Sequence, residues 1–378
     1  MKVTRITTRI ARIELKNVYV FSHHIADAFR NVLVWLETDA GVTGIGEVSF
    51  SGSGGGVYEE TPESAKANLD AYLAPAVVGE DVFDIERIHE KMDAAVPRNL
   101  VAKSGIDLAL WDAMGKSLDM PAYKLLGGTH HEKIRCTYTL SIDTPDKMAR
   151  QAATRREQGY TTVVVKVGRD AENDVERVKC VREAVGKDCS VRLDANEGYR
   201  PDQAIRILRQ VEKYEPEFIE EPVKHWDIEG MAMVARAIDM PVSSDESNNT
   251  AESVMRILDK RAASILNLKI SKNGGLFRCK QIAAIAESAG VPIIVGGNTT
   301  FEIGRQASRH FAVATKAVDK TMGSEGCAPA SQSKPEDLTT KWLKYEDVTA
   351  GKGYIEVIPG PGLGVELDED KVRRYTVA

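Results

Sequence analysis

The chain has 378 residues, of which 43% are hydrophobic and 28% are charged, a balance that excludes a disordered or fibrous protein. Its net charge of −6 comes without a basic block, which argues against nucleic acid as a partner. The longest apolar runs are too short to span a membrane, and the first residues alternate like a strand and do not resemble a signal peptide. We therefore expect a cytoplasmic protein that binds neither nucleic acid nor membrane.

The first part of the chain predicts an antiparallel hairpin. Apolar and polar residues alternate over 2–16 and 32–48, and Thr38-Asp39-Ala40-Gly41 is typical of a turn. We interpret the intervening segment FSHHIADAFRN (21–31) as a loop that carries His23 and His24. A second loop, SFSGSGGGVY, is rich in glycine and ends at Tyr58.

Helical patterns follow these strands. Thr61-Pro62-Glu63-Ser64 has the features of a helix start, and helical spacing of apolar residues predicts further helices at 85–95 and 101–118. The order of strands and then helices indicates an α+β domain over residues 1–128.

A strand and helix repeat begins after residue 128. Five apolar runs end on Lys166, Asp194, Glu220, Asp245 and Lys269, which follow one another at intervals of 24 to 28 residues. A strand followed by a covering helix, repeated at this length, predicts a parallel sheet with its charged ends on one side. About eight such strands would close a barrel over residues 129–335. Residues 336–378 are predicted to return to the first domain.

Three of the charged strand ends are carboxylates. Asp194, Glu220 and Asp245 would converge at the mouth of a barrel, where oxygen ligands without Cys or His favour Mg²⁺. An alternative is that Asp194 and Asp245 cap helices while Glu220 meets a surface lysine. Their common place in the repeat favours the metal site.

Lys166 and Lys269 come from the strands on either side of this trio. Two lysines so placed would face each other across the metal, where a nearby cation and partial desolvation favour a neutral amine that can act as a base. The alternative is that each lysine only neutralises a carboxylate. Lys272, three residues after Lys269, is expected to point to the other face of the strand.

These motifs resemble a known family. K-V-G at 166–168, D-A-N at 194–196, E-E-P at 220–222, D-E-S at 245–247 and K-I-S-K-N-G-G at 269–275 are similar to the muconate lactonizing (muconate cycloisomerase) subgroup of the enolase superfamily. The resemblance covers nearly the whole chain. It implies a TIM-type (β/α)7β barrel with an α+β capping domain formed by the N-terminal segment and the C-terminal tail.

The resemblance also implies roles for single residues. Asp194, Glu220 and Asp245 would bind Mg²⁺ or Mn²⁺, and Lys166 and Lys269 would be the acid/base pair on opposite faces of a metal-stabilised enolate. The two loops of the capping domain would select the substrate. The candidates for substrate binding are His23, His24, Tyr58, Asn298 and Thr300.

Two departures from the family pattern leave the substrate open. Val164 stands where many members have an earlier lysine, and Thr300 stands where a glutamate is usual. The segment GGNTTFEIG lacks both the glutamate pattern common in cycloisomerases and N-acylamino acid racemases and the paired aspartates of dipeptide epimerases.

The resulting hypothesis is a Mg²⁺-dependent, cycloisomerase-like isomerase or lyase that moves the proton α to the carboxylate of a small substrate. The alternatives are a racemase or epimerase of an N-acylated or proline-type amino acid, and a dehydratase that eliminates water from a hydroxy acid. A non-catalytic relative would tolerate loss of a base or ligand, yet all five positions are filled. We also expect a homo-oligomer.

Overall fold

The computed structural model describes residues 1–20, 25–50, 60–319, 321–329 and 334–377. His23, His24 and Tyr58 lie outside the described residues. The strands are β1 (Val3–Val20), β2 (Ile25–Thr38), β3 (Thr43–Val48), β4 (Ile134–Arg135), β5 (Tyr138–Leu140), β6 (Thr162–Lys166), β7 (Ser190–Asp194), β8 (Ile219–Glu220), β9 (Val242–Ser244), β10 (Ile265–Leu268), β11 (Ile293–Val295), β12 (Tyr354–Ile355) and β13 (Thr376–Val377).

Helices are interspersed with these strands along the described chain. They are α1 (Pro62–Asn68), α2 (Ala74–Val77), α3 (Ile85–Ala95), α4 (Leu100–Ser117), α5 (Ala122–Leu125), α6 (Pro145–Glu157), α7 (Ala171–Val185), α8 (Pro201–Val211), α9 (Ile228–Ala237), α10 (Ala251–Asp259), α11 (Leu276–Ala289), α12 (Glu302–Ala314), α13 (Tyr345–Ala350) and α14 (Glu369–Tyr375). A π-helical turn, Leu69–Leu73, joins α1 to α2. In the part of the chain that the structure describes, no helix is both long and apolar enough to cross a bilayer.

The capping domain is built on a four-stranded antiparallel sheet with the order β13-β1-β2-β3. The C-terminal strand β13 pairs with β1 through Ile10 and Ala11, so the end of the chain returns to its beginning. The sequence interpretation of 21–31 as a loop is wrong for residues 25–31, which belong to β2. Ala26 and Ala28 alternate toward the interior there, but residues this small give only a weak strand signal.

Strand β3 lies against helix α4 at very short range. A Cβ atom on Gly44 would stand 2.0 Å from the carbonyl oxygen of Ala109, and one on Gly46 would stand 2.0 Å from that of Gly105. Only glycine allows the two backbones to approach this closely. The last residues of β3 therefore have a fixed position relative to α4.

The second domain is a barrel. Seven parallel strands run in the order β11-β10-β9-β8-β7-β6-β5. The predicted eighth strand is irregular: Val318 bridges Ile293 of β11, and Ser324 bridges Cys136 in the chain before β5. These contacts close the ring, and the predicted barrel with its capping domain is confirmed. The exact domain boundaries stay a prediction.

Candidate active site

All five predicted charges lie at the carboxyl ends of neighbouring barrel strands. Lys166, Asp194 and Glu220 are the last residues of β6, β7 and β8. Asp245 and Lys269 come directly after β9 and β10. Each of the five is buried. Parallel strands direct their carboxyl ends to one side of the sheet, so the repeat seen in the sequence becomes one row of side chains.

Lys166 occupies one end of this row. Its Nζ forms an ion pair with Oδ2 of Asp194 and donates a hydrogen bond to Oδ1 of Asn196 at 2.9 Å. The backbone N–H of Asn196 donates to the other Asp194 oxygen at 2.8 Å. Burial would lower the pKa of Lys166, but the charges of Asp194, Glu325 and Glu220 raise it above its ordinary value.

Lys269 occupies the opposite end. Its Nζ forms an ion pair with Oδ2 of Asp245, and Nζ of Lys272 lies 3.1 Å from Oδ1 of the same carboxylate. Burial opposes ionisation of Asp245, yet the two ammonium groups lower its pKa to about 2. The prediction that Lys272 faces away from the site is wrong, because β10 ends at Leu268 and the chain then turns, so strand alternation no longer applies.

Glu220 stands between the two lysine and aspartate pairs. Burial, followed by the charges of Asp194 and Asp245, raises the pKa of Glu220 well above its ordinary range. One of its oxygens accepts a hydrogen bond from Nδ2 of Asn267 at 2.8 Å. Three buried carboxylates that repel one another in this way form a suitable donor set for a hard divalent cation.

The three carboxylates are not arranged around one common point. Among the described residues, no group of three or more His, Cys, Asp or Glu side chains stands ready to hold a metal ion. Asp194 and Asp245 each turn an oxygen to a lysine. Binding of a cation would therefore require these two side chains to exchange a lysine contact for a metal contact.

The two predicted substrate-binding residues within the described chain lie beside this row. Nδ2 of Asn298 donates to Oγ of Ser271, in the turn after Lys269, at 2.8 Å. Thr300 is buried, and its carbonyl oxygen accepts a hydrogen bond from Nε of Arg305 at 3.1 Å. A small cavity of about 90 Å³ next to Asn298 lies between the two domains and is lined by Tyr19, Phe29, Thr139, Asn298, Arg305 and Glu325.

Several residues of the site were not identified from the sequence. Asn267 of β10 donates to Glu220, and it is the polar residue between Leu266 and Leu268 of an otherwise apolar strand, a signal that could have identified it. Asn196, within the D-A-N motif, has a positive φ of 40°, a conformation that Asn tolerates better than most residues. Arg305 gave no signal, because it enters the cavity from the first turns of α12.

Two family descriptions match this chain over most of its length. Residues 5–127 match the mandelate racemase / muconate lactonizing enzyme N-terminal domain. Residues 147–371 match the enolase C-terminal domain-like family. The two matched segments correspond to the capping domain and the barrel.

Individual relatives include racemases, epimerases and cycloisomerases. The N-succinyl-L-Arg/Lys racemase of Bacillus cereus is 34% identical over 378 residues, which cover 100% of this chain and 98% of that protein. Its crystal structure has a TM-score of 0.93 at 32% identity, covering 100% of this chain and 99% of that one. Muconate cycloisomerase 1 of Pseudomonas putida is 32% identical over 346 residues, 91% of this chain and 90% of that protein.

A third relative has been solved with a ligand. The dipeptide epimerase from Enterococcus faecalis, complexed with Mg and the dipeptide L-Leu-L-Tyr, has a TM-score of 0.87 at 31% identity, covering 97% of this chain and 100% of that one. The relatives share one fold and one enzyme class. The chain belongs to the mandelate racemase/muconate lactonizing enzyme family of the enolase superfamily, and it is an isomerase.

Proposed function

We propose that this enzyme is a Mg²⁺-dependent racemase or epimerase that inverts the α-carbon of an N-acylated amino acid or a dipeptide. The observation that carries the proposal is the placement of Lys166 and Lys269 at opposite ends of the row formed by Asp194, Glu220 and Asp245, called here the carboxylate row. A two-base inversion needs a proton acceptor on one face of the α-carbon and a proton donor on the other. Similarity to the Bacillus and Enterococcus enzymes supports this reaction better than cycloisomerisation.

Asp194, Glu220 and Asp245 would hold the metal. When bound, Mg²⁺ supplies a positive charge beside the substrate carboxylate, where negative charge develops as the α-proton leaves. In one direction Lys166 would take the α-proton as the neutral amine, and the ammonium of Lys269 would deliver a proton to the opposite face. The raised pKa of Lys166 opposes this neutral form, whereas a cation that takes over the charge of Asp194 would favour it. The roles are exchanged for the other enantiomer. Asn267 keeps Glu220 oriented, and Asn196 does the same for Lys166.

The cavity between the domains supports a substrate with a polar group beyond the α-carbon. Arg305 can donate hydrogen bonds to an acyl oxygen or a carboxylate, and Glu325 and Thr139 form a hydrogen-bonded pair on the same wall. A dipeptide offers an ammonium group to Glu325, whereas an N-acyl group with a terminal carboxylate suits Arg305. Both substrate types belong in the test.

The second candidate is a cycloisomerase, because muconate cycloisomerase 1 is similar over most of both chains. In that reaction a single lysine would move a proton and the second would act through its charge. The two candidates differ in whether both faces of one carbon exchange a proton.

The test is incubation of the enzyme with Mg²⁺ in D₂O and a panel of N-acylated amino acids, dipeptides and muconate-type dicarboxylates. We expect deuterium at the α-carbon together with inversion for one of the first two classes, measured by mass spectrometry and chiral chromatography. Lactone formation from the dicarboxylate, without α-exchange of any amino acid derivative, would replace the racemase proposal with the cycloisomerase one.

A further inference from the structure

Two barrel helices beside the active site begin at residues that cannot cap them. Helix α11 has Gly275 at its N-cap and helix α12 has Phe301, and neither receives a hydrogen bond from its own N-cap side chain. Helices α1 and α10 differ, because Thr61 and Thr250 cap them from within. The first N–H groups of any helix need an acceptor. For α11 and α12 acceptors come from carboxylates of the capping domain, and at α12 Asp337 also accepts a hydrogen bond from the N–H of Glu302 at 3.1 Å.

Asp107 of helix α4 serves α11. Its Oδ1 accepts a hydrogen bond from the backbone N–H of Leu276 at 2.5 Å, and its Oδ2 accepts one from Phe277 at 3.3 Å. Nε2 of His89 lies 2.9 Å from the same Oδ2 and fixes the carboxylate from behind. A Cβ atom on Gly275 would stand 2.2 Å from Cγ of Asp107, so the glycine makes this approach possible.

Glu47, at the end of β3, serves α12. Its Oε1 accepts a hydrogen bond from the N–H of Phe301 at 2.8 Å, and its Oε2 accepts one from Gly304 at 2.8 Å. Asn31 of β2 donates through Nδ2 to Oε1 of Glu47 and to the carbonyl oxygen of Thr299, at 2.7 and 2.6 Å. Two strands of the capping domain thus hold one turn of the barrel.

The chain segments that lead into these helices carry the chemistry. Residues 269–275 contain Lys269 and run directly into α11. Residues 298–301 contain Asn298 and run into α12, whose first turns carry Arg305. A shift of either helix start would move these side chains relative to the carboxylate row.

We propose that Asp107 and Glu47 are positioning residues of the active site: each caps a barrel helix from the other domain and thereby fixes Lys269 or the Asn298 and Arg305 pair. The inference rests on the proposed function for its kinetic consequences only. Both carboxylates are buried and accept hydrogen bonds from backbone N–H groups of the helix starts. The two domains are therefore joined by hydrogen bonds to the backbone N–H groups at the starts of α11 and α12.

The test compares Asp107→Asn and Glu47→Gln with Asp112→Asn. Asp112 is a matched control, because it is a buried carboxylate that accepts hydrogen bonds from the N–H groups of Ile45 and Leu363, at 2.8 Å each, and not from a barrel helix. Amide hydrogen exchange, measured without substrate, should accelerate by about tenfold or more at residues 276 and 277 in Asp107→Asn and at residues 301 and 304 in Glu47→Gln. The Asp112 variant should retain wild-type exchange at both places.

Kinetics with an accepted substrate provide a second measurement. Asp107→Asn should lower kcat by about tenfold with little change in KM, because it disturbs the segment of Lys269, whereas Glu47→Gln should raise KM. Glu47→Asp, which keeps the charge, should have a KM between those of wild type and Glu47→Gln, and it replaces Glu47→Gln if that variant fails to fold.

Unchanged exchange at both helix starts, or equal changes in Asp112→Asn, would overturn the inference. If the wild type inverts no compound in the panel, the exchange data still decide this question, while the proposed function fails.

Discussion

The two lysines at the barrel mouth have different neighbours, although both pair with an aspartate. Asp194, the partner of Lys166, also accepts a hydrogen bond from the backbone N–H of Asn196, whereas Asp245, the partner of Lys269, is also paired with the ammonium group of Lys272. In the proposed two-base reaction each lysine would therefore work in its own environment. A racemase needs both bases even though their surroundings differ.

Replacing either lysine tests whether both transfer protons. We expect Lys166→Ala and Lys269→Ala each to lower the rate of inversion by about a thousandfold, because proton removal on one face and delivery on the other are both required. Chiral chromatography of the products measures this rate. Lys103→Met is the control, since Lys103 is also buried and ion-paired, with Asp93 in the capping domain. Inversion at the wild-type rate in either alanine variant would exclude the two-base mechanism.

Glu47 predicts a pH dependence of stability. Burial raises the pKa of Glu47 from 4.5 to about 7, partly offset by the hydrogen bonds from Phe301 and Gly304; the charge of Asp337 raises it further and that of Lys334 lowers it. Between these two pKa values the native state binds more protons than the unfolded state. The Glu47 contribution to the free energy of unfolding therefore falls as the pH rises through this range.

The variant Glu47→Gln should lack this slope. Between pH 5 and pH 8 we expect its stability relative to wild type to rise by about 2–3 kcal/mol, measured from urea unfolding curves. The increase at high pH arises because the variant no longer ionises a buried carboxyl group. Parallel curves for wild type and variant across this range would contradict the expected pKa of Glu47.

At the level of elements, the contact between β3 and α4 determines where Glu47 can stand. Gly46 is adjacent to Glu47, and a side chain there would collide with the carbonyl oxygen of Gly105. We expect Gly46→Ala to lower the free energy of unfolding by about 2–4 kcal/mol, since strand and helix must separate. Chemical denaturation measures the loss.

Gly41→Ala is the control for this substitution. Gly41 has a positive φ of 74° but no atom within 4 Å of an added Cβ, so it should cost only the backbone strain of about 1–2 kcal/mol. A smaller loss for Gly46→Ala than for Gly41→Ala would show that the strand and helix can adjust to the extra atom.

The same elements show what the sequence can predict. Helix α3 has the bounds 85–95 that the sequence predicts, because apolar spacing is a local signal. The five charged strand ends were predicted because a parallel repeat forces them to one edge. The acceptors for α11 and α12 could not be predicted, since they lie 169 and 254 or more residues away along the chain and only the assembled domains bring them together.

The irregular eighth strand has a similar explanation. Residues 321–326 contain two glycines, Gly323 and Gly326, and Val318 and Ser324 meet their neighbours through single bridges in place of a ladder. The carbonyl oxygen of Gly296 would lie 2.0 Å from a Cβ atom on Gly326. Close packing of two backbones at the closure point, which no local pattern reveals, replaces regular pairing there.

At the scale of the whole molecule, the carboxylate row lowers the stability of the native state of the protein chain. Asp194, Glu220 and Asp245 are buried together, and the lysines at the two ends leave Glu220 without an ion pair partner among the described residues. Placing like charges in a poorly solvated site raises the free energy of the native state. A divalent cation that binds only the native state should relieve this cost.

Addition of Mg²⁺ should therefore stabilise the wild-type protein, by about 2.7 kcal/mol when the ion is present at a hundred times its dissociation constant. Thermal unfolding of protein treated with a chelator, with and without added Mg²⁺, measures the effect, and calorimetry gives the dissociation constant.

Glu220→Gln should unfold at a similar or higher temperature than the metal-free wild type, because one buried carboxyl group that can ionise is gone. Its unfolding temperature should change little when Mg²⁺ is added. Asp174→Asn should keep the full Mg²⁺ response, since Asp174 is a buried carboxylate of α7 bound to Arg177, Tyr199 and the N–H of Gly168. An equal response in Glu220→Gln and wild type would place the cation elsewhere and separate the three carboxylates from the metal chemistry assigned to them.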